Sequence, residues 1–137
     1  MPGITNYILD ADHNAVPEEN LLRWAEWMKS ADRHIALTSV GGWNISTVFL
    51  GTDHSFGPQM GDPPILFETM IYREVKRSRR HPTGTHWLGF QARHATYAQA
   101  FRAHLIICER LVTLVRLSKR NQENLVALLA EVEIEIP

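Results

Sequence analysis

The sequence predicts a single α+β domain over residues 1–137, in which an antiparallel β-sheet packs against helices on one face. The chain has 137 residues, close to the commonest size of one domain, and its 45% hydrophobic and 21% charged content is typical of globular proteins. Strand-like segments follow one another through the middle of the chain without a helical crossover. Helical spacing of apolar residues appears before and after that run. Strands joined in this way pair antiparallel, and the helices then cover one face of their sheet.

The first part of the chain is predicted to be a short strand followed by an amphipathic helix. Residues 6–10 contain tyrosine, isoleucine and leucine and precede a cluster of turn residues. Pro17 suits the first position of a helix, and Glu18 and Glu19 complement the positive end of the helix dipole. Apolar residues then recur at helical spacing, so we expect a helix over residues 17–31.

Three further strands are predicted in the middle of the chain. Residues 33–40 and 44–50 are joined by Gly41 and Gly42, a pair that suits a tight hairpin turn. Residues 44–50 are rich in β-branched and aromatic side chains and give the clearest strand pattern. After a polar loop, residues 65–72 alternate as a strand with two distinct faces.

A basic segment then interrupts the strand pattern. Residues 73–86 are predicted to form a hairpin arm or loop, after which residues 87–93 rejoin the sheet as its last strand. Five basic residues lie close together in this segment: Arg73, Lys76, Arg77, Arg79 and Arg80. They are candidates for contact with phosphate groups or with an acidic protein surface. The alternative interpretation is a solvated hairpin tip.

The chain is predicted to end in helices. Thr96 and Gln99 have the spacing of a capping box, so a long helix begins near residue 97. Its predicted core stripe contains Tyr97, Phe101, His104, Leu105, Cys108, Leu111, Val112 and Val115. Residues 118–137 are predicted to add a helical extension, capped by Asn121. Because the long helix is apolar over more than one face, we expect a second copy of the chain to cover it in a homodimer.

The densest group of reactive residue types surrounds a glycine-bounded loop. This candidate polar site contains Asp53, His54 and Glu68, with His104 of the long helix as a further member. Aspartate, histidine and glutamate are ligands of zinc and non-haem iron, and they also serve in acid–base catalysis. A small metal-dependent hydrolase or ligand-binding enzyme is therefore one hypothesis for this chain.

Each member of that group also has a purely structural interpretation. Asp53 is a favoured turn residue whose carboxylate would cap the loop. His54 would bond to a backbone carbonyl, and Glu68 would pair with Arg33 or Arg93. The histidine of the long helix would be satisfied by hydrogen bonds inside the core. We therefore assign no catalytic residue from the sequence and leave the metal content open.

The sequence lacks the patterns of several function classes. Its glycines form neither a dinucleotide-binding nor a P-loop pattern and no HExxH pair is present, so no cofactor is expected. The single cysteine, Cys108, excludes an internal disulfide and a cysteine-rich zinc site, and it is interpreted as a small buried hydrophobe. No apolar run reaches the length of a membrane span and the first residues lack a secretory pattern, so we expect a cytoplasmic protein without membrane contact.

Charge is divided unevenly along the chain. Residues 1–70 carry nine acidic and three basic side chains, a net charge of −6. Residues 71–137 carry eleven basic and six acidic side chains, a net charge of +5. This division predicts two faces of opposite sign, which favour a charged partner or self-association.

Three motifs resemble a known group of proteins. They are STVFLGTDHSFG (46–57), PPILFETMI (63–71) and ATYAQAFRAH (95–104). On these motifs the chain resembles, over residues 6–104, a widespread group of small uncharacterised proteins of bacteriophages and prophages. The resemblance implies an origin in a mobile genetic element and a bacterial host cell, and it implies no particular activity. Residues 73–86 are richer in arginine than that pattern and residues 105–137 extend it, so we expect these two segments to carry any specialised role.

The leading functional hypothesis combines these observations. A small chain with opposite-sign faces, no evident catalytic set and a resemblance to phage proteins is expected to bind a host protein or ribonucleoprotein complex. Its most concrete form is inhibition of a bacterial defence complex of the CRISPR type. The alternatives are the metal-dependent enzyme at the polar site and a structural module that oligomerises through the long helix.

Overall fold

The computed structural model of the chain describes residues 6–54 and 63–117 and has the α+β architecture that the sequence predicts. Its elements are β1 (Tyr7–Leu9), β2 (Ala15–Pro17), α1 (Leu21–Ser30), β3 (His34–Val40), β4 (Trp43–Phe49), β5 (Phe67–Glu74), β6 (Thr85–His94) and α2 (Tyr97–Leu117). Strands β3 to β6 form one antiparallel sheet in chain order, and β1 pairs with β2 in a separate antiparallel hairpin. Within the described residues, no helix is long and apolar enough to cross a membrane. The extension predicted for residues 118–137 lies outside them.

Strand alternation gives the four-stranded sheet an inner and an outer face. The inner face is defined by the buried residues of β4 and β5: Trp43, Ile45, Thr47, Phe49, Phe67, Thr69 and Ile71. The residues between them point to the outer face. Helix α2 lies across the inner face and contacts all four strands. The outer face has no such helix among the described residues.

The core consists of two groups of apolar side chains beneath α2. The larger group joins the sheet to the helix through Trp43, Ile45, Ile71, Phe90, Ala103, Ile107 and Leu111. The second group is formed by Phe49, Leu66, Phe67 and Ala100. Trp27 of α1 closes it with an edge-to-face contact on Phe49, at 5.6 Å between ring centroids. Burial of each large side chain contributes roughly 1.5–3 kcal/mol, so α2 is held mainly by the inner face, whereas α1 also contacts β1.

The predicted Gly41–Gly42 hairpin turn is confirmed. Both glycines have positive φ, 56° and 84°, as a two-residue turn between β3 and β4 requires. A side chain at Gly41 would also meet Val115 of α2, because a Cβ there would lie 2.7 Å from Val115 Cγ1. The turn therefore needs glycine for its backbone and for the close approach of the helix.

Helix α1 is shorter than the predicted span of residues 17–31. It begins after Asn20, whose side chain accepts hydrogen bonds from the backbone N–H groups of Leu22 and Arg23 at 3.1 Å each. Pro17 does not start the helix; it ends β2, a strand that the sequence analysis missed. A proline is tolerated there because a two-stranded ribbon has an outer edge that needs no N–H donor.

Helix α2 has the predicted start but a shifted buried face. Thr96 Oγ1 accepts from the Gln99 N–H at 3.2 Å, and Gln99 Oε1 accepts from the Ala95 and Thr96 N–H groups, which confirms the capping box. Two members of the predicted core stripe are exposed instead, Phe101 at 41% and Leu105 at 53%. The face on the sheet is carried by Ala100, Ala103, His104, Ile107 and Leu111. The small alanines allow the helix backbone to approach the strands, which the apolar pattern alone did not indicate.

Candidate functional site

Asp53 and His54 fasten the loop after β4 to the chain before β5. Asp53 Oδ1 accepts a hydrogen bond from the Ile65 N–H at 2.9 Å, and the His54 N–H donates to the Ile65 carbonyl at 2.9 Å. The His54 ring donates from Nδ1 to the Thr52 carbonyl at 2.8 Å. Burial, and then the charge of Asp53, raise the pKa of the Tyr7 hydroxyl. Both loop residues thus make the contacts that their structural interpretation predicts.

Glu68 lies on the outer face and pairs with β6. Its Oε2 accepts from Arg93 Nε at 3.0 Å and from Gln91 Nε2 at 2.7 Å. Arg93 is the register partner of Glu68 across β5 and β6. The register therefore selects Arg93 rather than Arg33, which precedes β3 at the far edge of the sheet.

His104 lies on the other side of the sheet from Glu68. Its side chain is 1% exposed, with Nδ1 2.8 Å from Thr47 Oγ1 and Nε2 2.8 Å from Thr38 Oγ1. Thr47 belongs to the inner face, so the sheet separates His104 from the Glu68 carboxylate. The four members of the predicted polar site are consequently not gathered into one site. Across residues 6–54 and 63–117, no group of three or more histidine, cysteine, aspartate or glutamate side chains is placed to hold a metal ion.

A series of hydrogen bonds that the sequence pattern does not reveal continues from His104 through the core. Its members, in order, are Thr38, His104, Thr47, Thr69 and His94. The hydroxyls of Thr47 and Thr69 are 2.7 Å apart, and Thr69 Oγ1 is 3.1 Å from His94 Nε2. Strand alternation places both threonines inward, which a sequence can indicate. Their contact depends on the register of β4 against β5, in which they are direct partners.

The available protons require all the hydrogen bonds in this series to point the same way. Each threonine hydroxyl carries one proton, and a neutral imidazole donates from one nitrogen and accepts at the other. When the Thr47 and Thr69 hydroxyls both donate within this series, donation from His94 Nε2 directs all the bonds towards Thr38. Acceptance at His94 Nε2 reverses them all, and the Thr38 hydroxyl then donates to His104 Nε2. The tautomers of His94 and His104 are thereby coupled. The series of hydrogen bonds ends at the His94 ring, whose Nδ1 is a buried atom without a hydrogen-bond partner among the residues described.

Burial keeps this network uncharged. It lowers the pKa of His94 and of His104, because a charged imidazolium would lose its water there. Burial also raises the pKa of the Cys108 thiol, while a hydrogen bond to Thr38 acts in the opposite sense. Neutral imidazoles and a protonated thiol suit a structural role that ties α2 to the sheet, because a nucleophilic cysteine needs its thiolate.

The basic arm, residues 73–86, projects from the ends of β5 and β6. The strands reach further into this segment than the predicted bounds, since β5 continues to Glu74 and β6 begins at Thr85 rather than at Trp87. The Val75 N–H donates to the Gly84 carbonyl at 2.9 Å, which closes the loop between them. All five of the predicted contact residues are exposed: Arg73, Lys76, Arg77, Arg79 and Arg80. Lys76 and the three arginines after it form no ion pair with any residue that the structure describes. The arm thus presents positive charge to solvent, with Glu74 as its one acidic residue.

Aromatic and imidazole rings anchor the base of the basic arm. The Arg73 guanidinium lies over the buried Trp43 ring, 4.9 Å from its centroid. The His86 ring is 6.3 Å from the same Trp43 ring, and its Nδ1 is 3.0 Å from His81 Nε2. Because Trp43 belongs to the core, these contacts fix the direction in which the arm leaves the sheet.

An apolar groove, termed the outer groove, opens on the outer face next to the basic arm. It has a volume of about 380 Å³ and is lined by Ser46, Val48, Met70, Tyr72, Thr85 and Trp87. Trp87 is the register partner of Tyr72 and is 47% exposed. Its Nε1 donates to the Phe90 carbonyl at 3.1 Å, which holds the indole in place. Thr85 belongs to both features, so groove and arm form one continuous surface.

Comparison with known proteins adds no further assignment. No protein-family model, curated protein or solved structure matches this chain. The resemblance to phage and prophage proteins therefore stays a prediction from the three sequence motifs.

Proposed function

We propose that this chain is a non-catalytic phage or mobile-element protein that binds and inhibits a host macromolecular machine, with the basic arm as its contact surface. The observation that carries this proposal is the exposure of the arm's five basic side chains at one end of the sheet. Lys76, Arg77, Arg79 and Arg80 find no acidic partner among the described residues, so their charge is available to another molecule.

Charge distribution supports contact through the basic arm rather than through the rest of the surface. The first seventy residues carry a net charge of −6, whereas the arm holds five basic residues against one acid. An anionic partner is attracted to the arm and repelled by the acidic part of the chain. Such an arrangement orients the encounter and accelerates association at low ionic strength.

The placement of the predicted polar site favours binding over catalysis. Asp53 and His54 bond to the backbone of their own loop, and Glu68 is engaged by Arg93. His104 lies inside the core on the other face of the sheet. None of these contacts leaves an acid and a base side by side in an open cleft, which general acid–base chemistry needs.

The resemblance to phage proteins supports a bacterial target. The most concrete target is a defence complex of the CRISPR type, because such ribonucleoproteins carry nucleic acid whose phosphates a basic arm can contact. Blocking that nucleic acid, or the surface beside it, would inhibit the complex without any chemical step by the inhibitor.

The first prediction tests this proposal with a charge reversal in the basic arm. The tagged full-length chain is expected to co-purify one host complex from bacterial lysate and to raise the plaque count of a phage that the defence system restricts. Arg77→Glu, Arg79→Glu and Arg80→Glu together should abolish both effects, because they replace attraction by repulsion.

Two exposed basic residues of α2 provide the matched control. Arg102→Glu and Arg110→Glu change the net charge in the same direction outside the arm, and they should leave capture and plaque count close to wild type. Capture and plaque count that survive the reversal in the arm would refute the proposal.

A further inference from the structure

The surface beside the basic arm identifies a specific kind of partner. We propose that the outer groove and the basic arm together bind single-stranded RNA, with a base stacked on Trp87 and the phosphates held by the arm. This inference rests on the proposed function, since it names the part of the host machine that the arm contacts.

The outer groove has the features of a stacking platform. It lies on the open face of a four-stranded antiparallel sheet whose helix α2 covers the other face. Trp87 and Tyr72 stand side by side on neighbouring strands, and Trp87 is half exposed. Unpaired bases stack on such aromatic side chains, and the stacking tolerates any sequence because every base has a π-face. The bond from Trp87 Nε1 to the Phe90 carbonyl fixes the ring before binding, so little side-chain entropy is lost.

Charge complementarity extends from the groove into the basic arm. The residues that line the outer groove are uncharged, and one of them, Thr85, also belongs to the arm. Glu68 shares the outer face, but Arg93 compensates its charge. A strand of RNA with a base at Trp87 therefore continues along a surface where its phosphates meet lysine and arginine rather than carboxylates.

Three properties of the surface favour single-stranded RNA over other occupants. A duplex keeps its bases stacked inside, so it cannot offer a free base to Trp87. An acidic protein would complement the charge of the arm but would bring carboxylates to the rim of an apolar groove. Ser46 and Thr85 line the groove, and their hydroxyls can both donate and accept, which suits the 2′-OH of ribose. The Thr85 hydroxyl is 2.9 Å from Thr83 Oγ1 and keeps further hydrogen-bonding capacity.

The second prediction uses fluorescein-labelled oligouridylate and the purified full chain. Fluorescence anisotropy is expected to show binding that Trp87→Ala weakens roughly 10-fold or more, because one stacked base is lost. Trp87→Phe keeps an aromatic face and should bind nearly as well as wild type. RNA should quench tryptophan fluorescence in the wild type, and the Trp87→Phe variant should lose that quenching while it still binds.

Two further variants locate the contacts. Phe101→Ala removes an aromatic side chain that is exposed to a similar degree on α2, in the other layer, and it should bind like wild type. Replacing Arg77, Arg79 and Arg80 by glutamine should reduce the slope of log affinity against log salt concentration by about 2, since each phosphate contact in a single strand contributes about 0.7.

The outcomes separate this inference from the proposed function. Absence of oligouridylate binding, or equal binding by Trp87→Ala, would overturn the RNA site, and tighter binding of a DNA duplex or of oligothymidylate would overturn the assignment to RNA. If binding fails but the arm still captures its host complex from nuclease-treated lysate, the RNA inference is wrong and the proposed function stands. If that capture also survives the charge reversal in the arm, the proposed function is wrong as well.

Discussion

The two faces of the four-stranded sheet are built from alternate residues of the same strands. Polar side chains are nevertheless buried and hydrogen-bonded on the inner face and open to a partner on the outer face. On the inner face, Thr47 and Thr69 are buried and bonded to each other and to histidines. On the outer face, Ser46 and Tyr72 line an open groove that leads to the basic arm. Neighbours in sequence therefore lie in different environments.

This difference separates what holds the protein together from what is available to a partner. An unpaired polar group in the core costs far more than one in water, so the inner polar residues must satisfy one another. Outer residues are free of that requirement and can change with little cost in stability. Candidate binding residues accordingly lie on the outer face and the arm.

The third prediction, with the largest expected effect on stability, compares adjacent residues on the two faces. Thr47→Val keeps the shape of the side chain but removes the partner of the buried His104 Nδ1 and one of the two partners of the Thr69 hydroxyl, so it should lower the free energy of unfolding by about 2–4 kcal/mol. Ser46→Ala, one residue earlier on the outer face, should change it by less than about 0.5 kcal/mol. Urea unfolding measures the change in the free energy of unfolding for both variants. Equal changes would contradict the proposed difference between the two faces.

The fourth prediction concerns pH and the two buried histidines. Burial lowers the pKa of His94 and His104 in the folded chain below the ordinary value of 6.5. The unfolded chain therefore binds protons first, and stability that is complete above about pH 6.5 should decrease as the pH falls below that value. Thermal unfolding as a function of pH measures this decrease, and NMR titration should show both rings still neutral in the folded protein slightly below pH 6.5.

A variant of one histidine sharpens this test. His94→Gln removes one of the buried groups and should flatten the dependence on pH. If His94→Gln unfolds at neutral pH, the NMR titration of the wild type still tests whether the two buried histidines are neutral in the folded protein. Stability that stays constant between about pH 7 and 5 would contradict a neutral inner network.

The fifth prediction has the smallest expected effect and concerns the outer face. Glu68→Gln removes the charge that pairs with Arg93 and should cost less than about 1 kcal/mol, since ion pairs near the surface contribute little. Urea unfolding at low and high salt should show the small difference shrink as salt screens the pair. A loss as large as that of Thr47→Val would place Glu68 among the structural residues of the core.

Local patterns predicted the element types well. The Gly41–Gly42 turn and the capping box of Thr96 with Gln99 are confirmed because each is decided by residues only a few positions apart. The start of α1 was misjudged because two local signals compete there, Pro17 as a first helical residue and Asn20 as a cap. The hydrogen bonds of the Asn20 side chain and the pairing of Pro17 with Tyr7 decide that competition in favour of Asn20.

The candidate site was predicted less well than the fold. The sequence identified the arm's basic residues because a cluster of like charges needs no folding to be recognised. It did not identify the outer groove, since Trp87 and Tyr72 belong to different strands and meet only through their register. It also grouped Glu68 with His104, which strand alternation places on opposite faces of the sheet.

By itself, the sequence determined the α+β class, the order of the main elements, the basic arm and the turn and cap residues. These follow from spacing, propensity and charge along a short stretch of chain. The tertiary structure alone decided which side of α2 is buried, how Thr47, Thr69 and the two histidines bond to one another, and that an aromatic groove adjoins the arm. The physical reason is that each of these features depends on strand register and helix packing, which bring together residues far apart in the chain.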